Sequence, residues 1–426
     1  MKERIKTAIL LVLVLGSLVQ SYFLIYRLPG SESVARTENA YIKTETMGPD
    51  EKVENLIYPK KMIIHMGEDK HTVFYPDQMF YDLVYNRLKG REFEGFQRRT
   101  VNNMDWSKLR SSSKGIEMSF GSGMPVTLLQ KVMQIKPDSL FEGENIDKLW
   151  VYSIDGEPKV HALFFSTEGG VVYEAAQVDL TVQDIHQLVD FGQDWVPYTM
   201  LEGTSLYIPE QPLNMVNVEL AIDMYTVEQM QRSLFFDPSI TRNIQERDGS
   251  EIYTDSKRSL QVDERQNWMS YTDPAAPPSG ESSPGKDVLS AVDFVNQHGG
   301  WNGSYRVNQS EDNEGLTLVE FQQYHRGYPI LNTADFHFGT MKVELQNGTV
   351  TSYERSLLYV KSEELKKKLV KLPAGEELQE KLGILAGNMR VVDVEPVYLP
   401  ILKETGLWLK PAWGVQLSNG SMQVVD

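Results

Sequence analysis

The chain has 426 residues, with 42 Lys and Arg against 59 Asp and Glu, a formal net charge of −17 and no cysteine. The length allows about three domains, and 41% hydrophobic with 24% charged residues describes a folded chain rather than a disordered one. Zero cysteine excludes disulfides, thiol catalysis and thiolate zinc sites, and the acidic surface argues against nucleic acid, whose phosphates it would repel.

Lys2, Arg4 and Lys6 precede an apolar run from Ala8 to Tyr26, interrupted only by Gly16, Ser17, Gln20 and Ser21. At a rise of about 1.5 Å per residue, a run of about 19 residues spans most of a hydrocarbon core. The three basic residues act as topology anchors that keep the N-terminus cytoplasmic and place the bulk of the chain outside the cell membrane. Lys2, Arg4, Lys6 and Arg27 against Glu3 give the first 27 residues about +3, so about −20 remains beyond them. A cleaved secretory signal is the competing reading, with an apolar core of about 7–15 residues and a small-residue cleavage site. Here the core is longer, it ends in the bulky Tyr22-Phe23-Leu24-Ile25-Tyr26-Arg27, and Ser33-Val34-Ala35 is distant. Residues 1–28 therefore read as a cytoplasmic N-terminus and an uncleaved single span. Gly16 and Gln20 lie four apart, as do Ser17 and Ser21. That spacing permits close backbone approach and gives an amide a partner within lipid, although many single spans carry a few small residues.

Residues 29–56 are polar and weakly periodic, and predict a juxtamembrane stalk. Residues 57–212 predict one α+β domain. Lys61–Met66 reads as a strand, and Asp77–Lys89 as a helix with Phe80, Leu83, Val84 and Leu88 on one face. Pro125–Gln134 repeats that helical pattern. Lys148–Ile154, Val160–Ser166 and Val171–Gln177 then form an antiparallel meander with tight turns, and Thr181 caps a short helix.

Residues 213–273 predict a middle α+β domain. It has a strand at Met215–Ile222, a helix opened by the capping pair Thr226 and Gln229, and three short strands at Glu251–Thr254, Ser259–Val262 and Trp268–Tyr271. Residues 274–286 are rich in Pro and Ser and read as a linker. Residues 287–426 predict a C-terminal α+β domain opened by Asp287 as N-cap. Strands are expected at Leu316–Tyr324, Phe336–Leu345 and Val350–Val360, the last two joined by the turn Asn347-Gly348. Short helices are expected at Glu363–Lys371 and Gly375–Leu382, followed by strands at Arg390–Leu399, Leu407–Lys410, Trp413–Leu417 and Met422–Asp426. The fold class is α+β: one N-terminal transmembrane helix, then about three extracytoplasmic domains of antiparallel sheets packed by short helices.

No catalytic, cofactor or metal constellation emerges. Gly280 to Asp287 has phosphate-loop spacing, but Asp stands where magnesium needs Ser or Thr, and Glu281 would repel phosphate. The seven histidines form no metalloprotease pair, and no acidic loop has calcium spacing. His65 and His71 flank the turn Gly67-Glu68-Asp69-Lys70 and can meet across two strands, where a metal-free surface pair is the commoner outcome. Gly121-Ser122-Gly123 lacks the flanking glycines of a nucleophile turn. The aromatic residues Trp301, Tyr324, Tyr328, Tyr353, Tyr359, Trp408 and Trp413 fit core packing better than ligand stacking.

Several segments carry a family resemblance. They are Leu234-Phe235-Phe236-Asp237-Pro238, Tyr253-Thr254-Asp255 through Val262, Trp268-Met269-Ser270-Tyr271-Thr272-Asp273-Pro274, and Val319 through Tyr324 to Gly327-Tyr328-Pro329-Ile330. In order and spacing, behind a basic start and one anchor, they resemble the YycH family of anchored extracytoplasmic regulators. Phe321–Ile330 also resembles the related YycI, and Ser256 stands where the family often has glycine. The resemblance implies a non-enzymatic partner of a WalK (YycG) sensor histidine kinase, acting with YycI in cell-wall homeostasis. The acidic charge and the absence of a cofactor motif predict no nucleic acid and no cofactor, and a second copy of the chain is a further candidate partner. The resemblance makes Gly16, Ser17, Gln20 and Ser21 the candidate membrane contacts with the kinase. An anchored wall-acting enzyme or glycan-binding module is the alternative.

Overall fold

The computed structural model describes residues 47–101, 105–247, 249–263, 265, 267–274, 282–313, 316–334 and 336–426, together with Lys6. The expected span at 8–26 lies outside them. Among the described residues no helix is long and apolar enough to cross a membrane.

The expected α+β class is present as three sheets. The first has ten strands, running from edge to edge Tyr207–Pro209, Pro197–Met200, His71–Phe74, Lys61–Met66, Lys114–Pro125, Asn145–Ser153, Val160–Ser166, Val171–Val178, Glu92–Thr100 and Gln134–Ile135. All pairings in it are antiparallel except the last. The predicted meander forms its centre. Helices Met79–Lys89, Val126–Val132 and Val182–Asp190 present Val84, Leu88, Leu128, Leu129, Ile185 and Leu188 to the core. Thr181 and Asp184 close a reciprocal capping box, satisfying two otherwise orphaned donors.

The second sheet joins Arg242–Gln245, Glu251–Thr254, Ser259–Asp263 and Trp268–Thr272 to Thr349–Ser356, Thr340–Gln346, Leu316–His325 and Ser304–Asn313. The third sets Leu213–Met224 between Leu358–Leu372 and Gly406–Leu417, with Val391–Lys403 beyond. Residues 213–273 and 287–426 are thus interleaved, not successive domains: each sheet takes strands from both. Backbone pairing runs unbroken from Trp268–Ser356 to Thr272–Ser352 and from Leu213–Leu372 to Glu219–Lys366, and neither partner could leave without exposing its ladder. One hydrophobic cluster runs from Val53 and the first sheet through Val288, Trp301 and Phe321 of the second, while the third sheet has its own around Leu220, Leu378 and Trp413. Glu45–Asp426 hold together as one unit.

Three local expectations are corrected. Glu363–Lys371 is not a helix; it is the middle of the strand Leu358–Leu372, held by its ladder to Leu213–Met224. Asp287 is not an N-cap: the helix Pro284–Gln297 starts earlier, after Ser283, and Asp287 is buried, its carboxylate accepting Ser282 Oγ at 2.6 Å and Thr317 Oγ1 at 2.7 Å. The described end of the expected stalk is not free chain, because Val53 and Leu56 of the helix Val53–Leu56 are buried in the main core.

Candidate functional site

The chain enters the body at Met47, and what happens there follows from two glycines and an asparagine. Gly48 lies against Trp301 so closely that a Cβ would sit 2.1 Å from the Trp301 carbonyl oxygen. Gly300, at φ +69, leaves no room either: its Cβ would meet the Gly48 oxygen at 2.4 Å. Trp301 N donates to Pro49 O at 3.0 Å. Asn296, in the last turn of the helix Pro284–Gln297, receives Glu51 N and donates Nδ2 to Glu51 O, both at 2.9 Å. Its Oδ1 also accepts Trp301 Nε1 at 2.7 Å. Tyr225, at the end of Leu213–Met224, donates its hydroxyl to Met47 O at 3.0 Å.

Two buried arginines back this segment. Arg306, with none of its surface exposed, donates Nε to Tyr58 O at 2.6 Å and Nη2 to Phe120 O, linking the first and second sheets. Arg355 is 1% exposed; its Nη1 donates to Gly300 O and to Tyr353 Oη, each at 3.0 Å, and its guanidinium lies 5.2 Å from the Tyr225 ring centroid. Arg306 Nη1 and Arg355 Nε and Nη2 lack hydrogen-bond partners among the described residues.

Beside the segment opens a cleft of about 880 Å³, lined by Met47–Pro49, Tyr225, Trp301, Tyr324–Arg326, Tyr359, Lys361 and Glu364 among others. Tyr225 stacks on Tyr359 with centroids 4.5 Å apart. Lys361 pairs with Asp223 at 2.8 Å, and Arg326 pairs with Glu364 across the cleft, joining the second sheet to the third. The entering segment, the second sheet and the third sheet therefore share one set of walls. Residues 47–51 are thereby in contact with elements of both the second and the third sheet.

The first sheet holds a second polar cluster. His65 and His71 do meet across the strands as their spacing predicts, with Nδ1 atoms 3.1 Å apart, but both are buried and not on the surface. Beside them Glu117 accepts Arg110 Nε at 3.1 Å, with Lys148 at 3.6 Å and His65 Nε2 at 3.6 Å. Burial acts to raise the Glu117 carboxyl; Arg110, Lys148 and His65 overcome it and hold the group well below the usual carboxylate range. Burial also pushes both imidazoles down, His71 further through His65. Among the described residues no group of three or more His, Asp and Glu is placed to hold a metal.

Of the residues singled out from sequence, Gly16, Ser17, Gln20, Ser21, Lys2 and Arg4 lie outside the described residues, and Lys6 is exposed. Ser122 donates to Asn308 O, tying the first sheet to the second. Trp301, Tyr324, Tyr353 and Trp413 are buried, whereas Tyr328, Tyr359 and Trp408 are half-buried. Sequence reasoning missed Asn296 and Gly48. The pair Gly299-Gly300 before Trp301 is the signal the sequence offers.

Comparison with known proteins agrees with the fold. Residues 3–192 match the family described as YycH protein, N-terminal domain, and residues 203–398 match YycH protein, C-terminal domain. The chain is 21% identical over 396 residues to the two-component system WalR/WalK regulatory protein YycH of Bacillus subtilis (strain 168), covering 89% of this chain and 85% of that one. The crystal structure of YycH from Bacillus subtilis superposes with a TM-score of 0.71 at 16% identity, over 89% of this chain and 98% of that one, a likeness of fold. With both halves matched in order, the chain belongs to the YycH family.

Proposed function

We propose that this chain is a membrane-anchored extracytoplasmic regulator of a WalK-type sensor histidine kinase, acting with a YycI-type partner in cell-wall homeostasis and catalysing no reaction itself. The observation that carries this reading is the relation, over 89% of the chain, to a protein named as a regulator of WalR/WalK. The basic head and apolar run at residues 2–26 support a single span with the body outside. The clamp on Met47–Glu51 supports coupling, because a span tied to a free stalk would pass little force or orientation to the body.

On this reading the span, through Gly16, Ser17, Gln20 and Ser21, binds the kinase helices with different affinity in their two signalling states, which is the only way it can bias them. A difference of about 1–3 kcal/mol, ordinary for coupled sites, changes output severalfold or more. Replacing Ser17 and Gln20 together by Leu is expected to weaken kinase co-purification from solubilised membranes and to alter expression of the kinase's regulon. Unchanged co-purification with unchanged output removes the span from the mechanism. Saturable binding or turnover of purified peptidoglycan by the full chain would replace the reading with that of a wall-acting protein.

A further inference from the structure

The strand Leu358–Leu372 is an edge. Among the described residues it pairs with Leu213–Met224 on one side and with no strand on the other. Its 15 residues make it long for an edge, where natural proteins favour short strands. The exposure of Glu363–Leu369 is continuous and includes two apolar side chains, Leu365 at 41% and Leu369 at 62%.

The charges on this edge are ordered. Glu363 and Glu364 precede Leu365, and Lys366 and Lys367 follow it, so the sign inverts about Leu365. Lysines alone would blunt an edge against pairing; glutamates placed symmetrically before them supply the complement within the same strand. Glu364 and Lys366 already have partners in their own chain, Arg326 and Glu219. Glu363 and Lys367 have no ion pair within it among the described residues.

We propose that this edge is a self-association surface on which a second copy of the chain docks antiparallel, about a two-fold axis at Leu365. The axis sets Glu363 across from Lys367 of the second copy and Glu364 across from its Lys366, each twice, with the two Leu365 side chains meeting at the centre. Moving the axis one half-step, between Leu365 and Lys366, keeps both glutamates facing lysines. Moving it to Lys367 sets Lys366 against Lys368 and Lys367 against itself. Charge therefore disfavours the register centred on Lys367 and admits those centred at Leu365 or a half-step beyond it. The strand slips against its inner neighbour at Leu365 and again over residues 361–363, and such bulges bend the strand and shorten the regular ladder on either side of the axis. The association is accordingly weak, below the roughly 1,000 Å² of a stable interface, and depends on the high effective concentration of copies held in one surface. It stands independently of which kinase, if any, the protein regulates.

The absence of cysteine makes the test direct. In the full chain in native membranes, a cysteine on a two-fold axis meets its own copy. Leu365→Cys is expected to give a disulfide-linked dimer under mild oxidation, and Leu402→Cys, equally exposed at 40% on the opposite edge strand, is expected to give far less. Adding Glu363→Lys or Lys367→Glu to Leu365→Cys is expected to reduce the dimer severalfold, because like charges then face each other. Co-expressing the two charge variants with different tags restores it, since the lysine pair of one copy faces the glutamate pair of the other. Equal crosslinking at Leu365 and Leu402, or charge variants that change nothing, or no restoration on co-expression, each overturns the proposal.

Discussion

The side-chain amide of Asn296 pairs with the backbone of Glu51 in both directions, receiving its N–H and donating to its carbonyl, each at 2.9 Å. This is the geometry of a strand partner supplied by one side chain. It satisfies two main-chain groups that a polar entering segment would otherwise leave to water. The same oxygen takes the Trp301 indole, so the amide joins the segment, the helix Pro284–Gln297 and the buried tryptophan.

Replacing Asn296 with Ala removes all three bonds and leaves the Trp301 N–H unpaired. We expect a loss of about 1–3 kcal/mol in unfolding free energy. Amide exchange in residues 48–56 should accelerate more than in the first sheet. On the proposed function the variant still co-purifies with the kinase but no longer tunes it. Exchange that rises uniformly would show that Asn296 serves the core and not the joint.

Gly48→Ala tests the same joint by crowding. A Cβ at 2.1 Å from a carbonyl oxygen forces the backbone of either Gly48 or Trp301 to move, at a cost typical of overpacking, about 1–3 kcal/mol. The expected result is a lower denaturation midpoint, with amide exchange raised most in residues 48–56 and around Trp301. A midpoint equal to that of the unsubstituted chain would mean that the segment is not held where the structure places it.

Local features of this fold were legible in the sequence where one segment carries its own signal. Thr226 and Gln229 close the capping box that their spacing predicts, and Asn347-Gly348 makes its turn at φ +47 and +76. The histidines at 65 and 71 met because the turn between them fixes the register. What was hidden is long-range. Glu363–Lys371, rich in Glu, Leu and Lys, has helical propensity, and the ladder to residues 213–219 overrides it. Lys114–Pro125 carries three glycines and reads as no strand. Yet Gly115 is required there, since a Cβ would lie 2.5 Å from that of Tyr152 on the neighbouring strand. The weave of the second and third sheets leaves no local trace, because pairing partners 80 or more residues apart are chosen by the whole core. The joint at Met47 was invisible for the same reason: a polar stretch looks like a stalk until its partner is known.

Acid should destabilise the body in two steps. Burial lowers His65 and His71 and takes His298 and His325 from the usual 6.5 to about 4. The unfolded chain therefore binds more protons between about pH 6.5 and 4, and stability falls as pH falls through that window. The His65–His71 contact sharpens the effect, because one Nδ1 must stay unprotonated to accept from the other. Glu117, held low by Arg110 and Lys148 against burial, contributes stability that is present above its ordinary 4.5 and is lost only at still lower pH. Urea midpoints measured from pH 7 to pH 5 should drop, and His71→Asn should show a shallower slope over that range. An unchanged slope would remove the pair as a source.

Asp393 holds the third sheet to the first. Its carboxylate takes both Lys61, the first residue of the strand Lys61–Met66 in the ten-stranded sheet, and Lys60 just before it, with Glu395 at 3.4 Å from Lys60. All four side chains are at most 16% exposed. Burial opposes the Asp393 charge, and the two ammonium groups outweigh it and keep the carboxyl far below its usual range. Two lysines could not stay desolvated there without it, because an uncompensated buried cation is costlier than the pair it came from. Asp393→Ala is therefore expected to cost about 3–5 kcal/mol, the penalty for stranding a buried partner. Asp393→Ala combined with Lys60→Met, Lys61→Met and Glu395→Gln should recover much of that loss, since no buried ion is then left without its partner. If this combined variant is no more stable than Asp393→Ala, the cluster contributes through its geometry between the two sheets and not through charge burial. Comparing the midpoints of the three proteins in urea at pH 7 distinguishes the two.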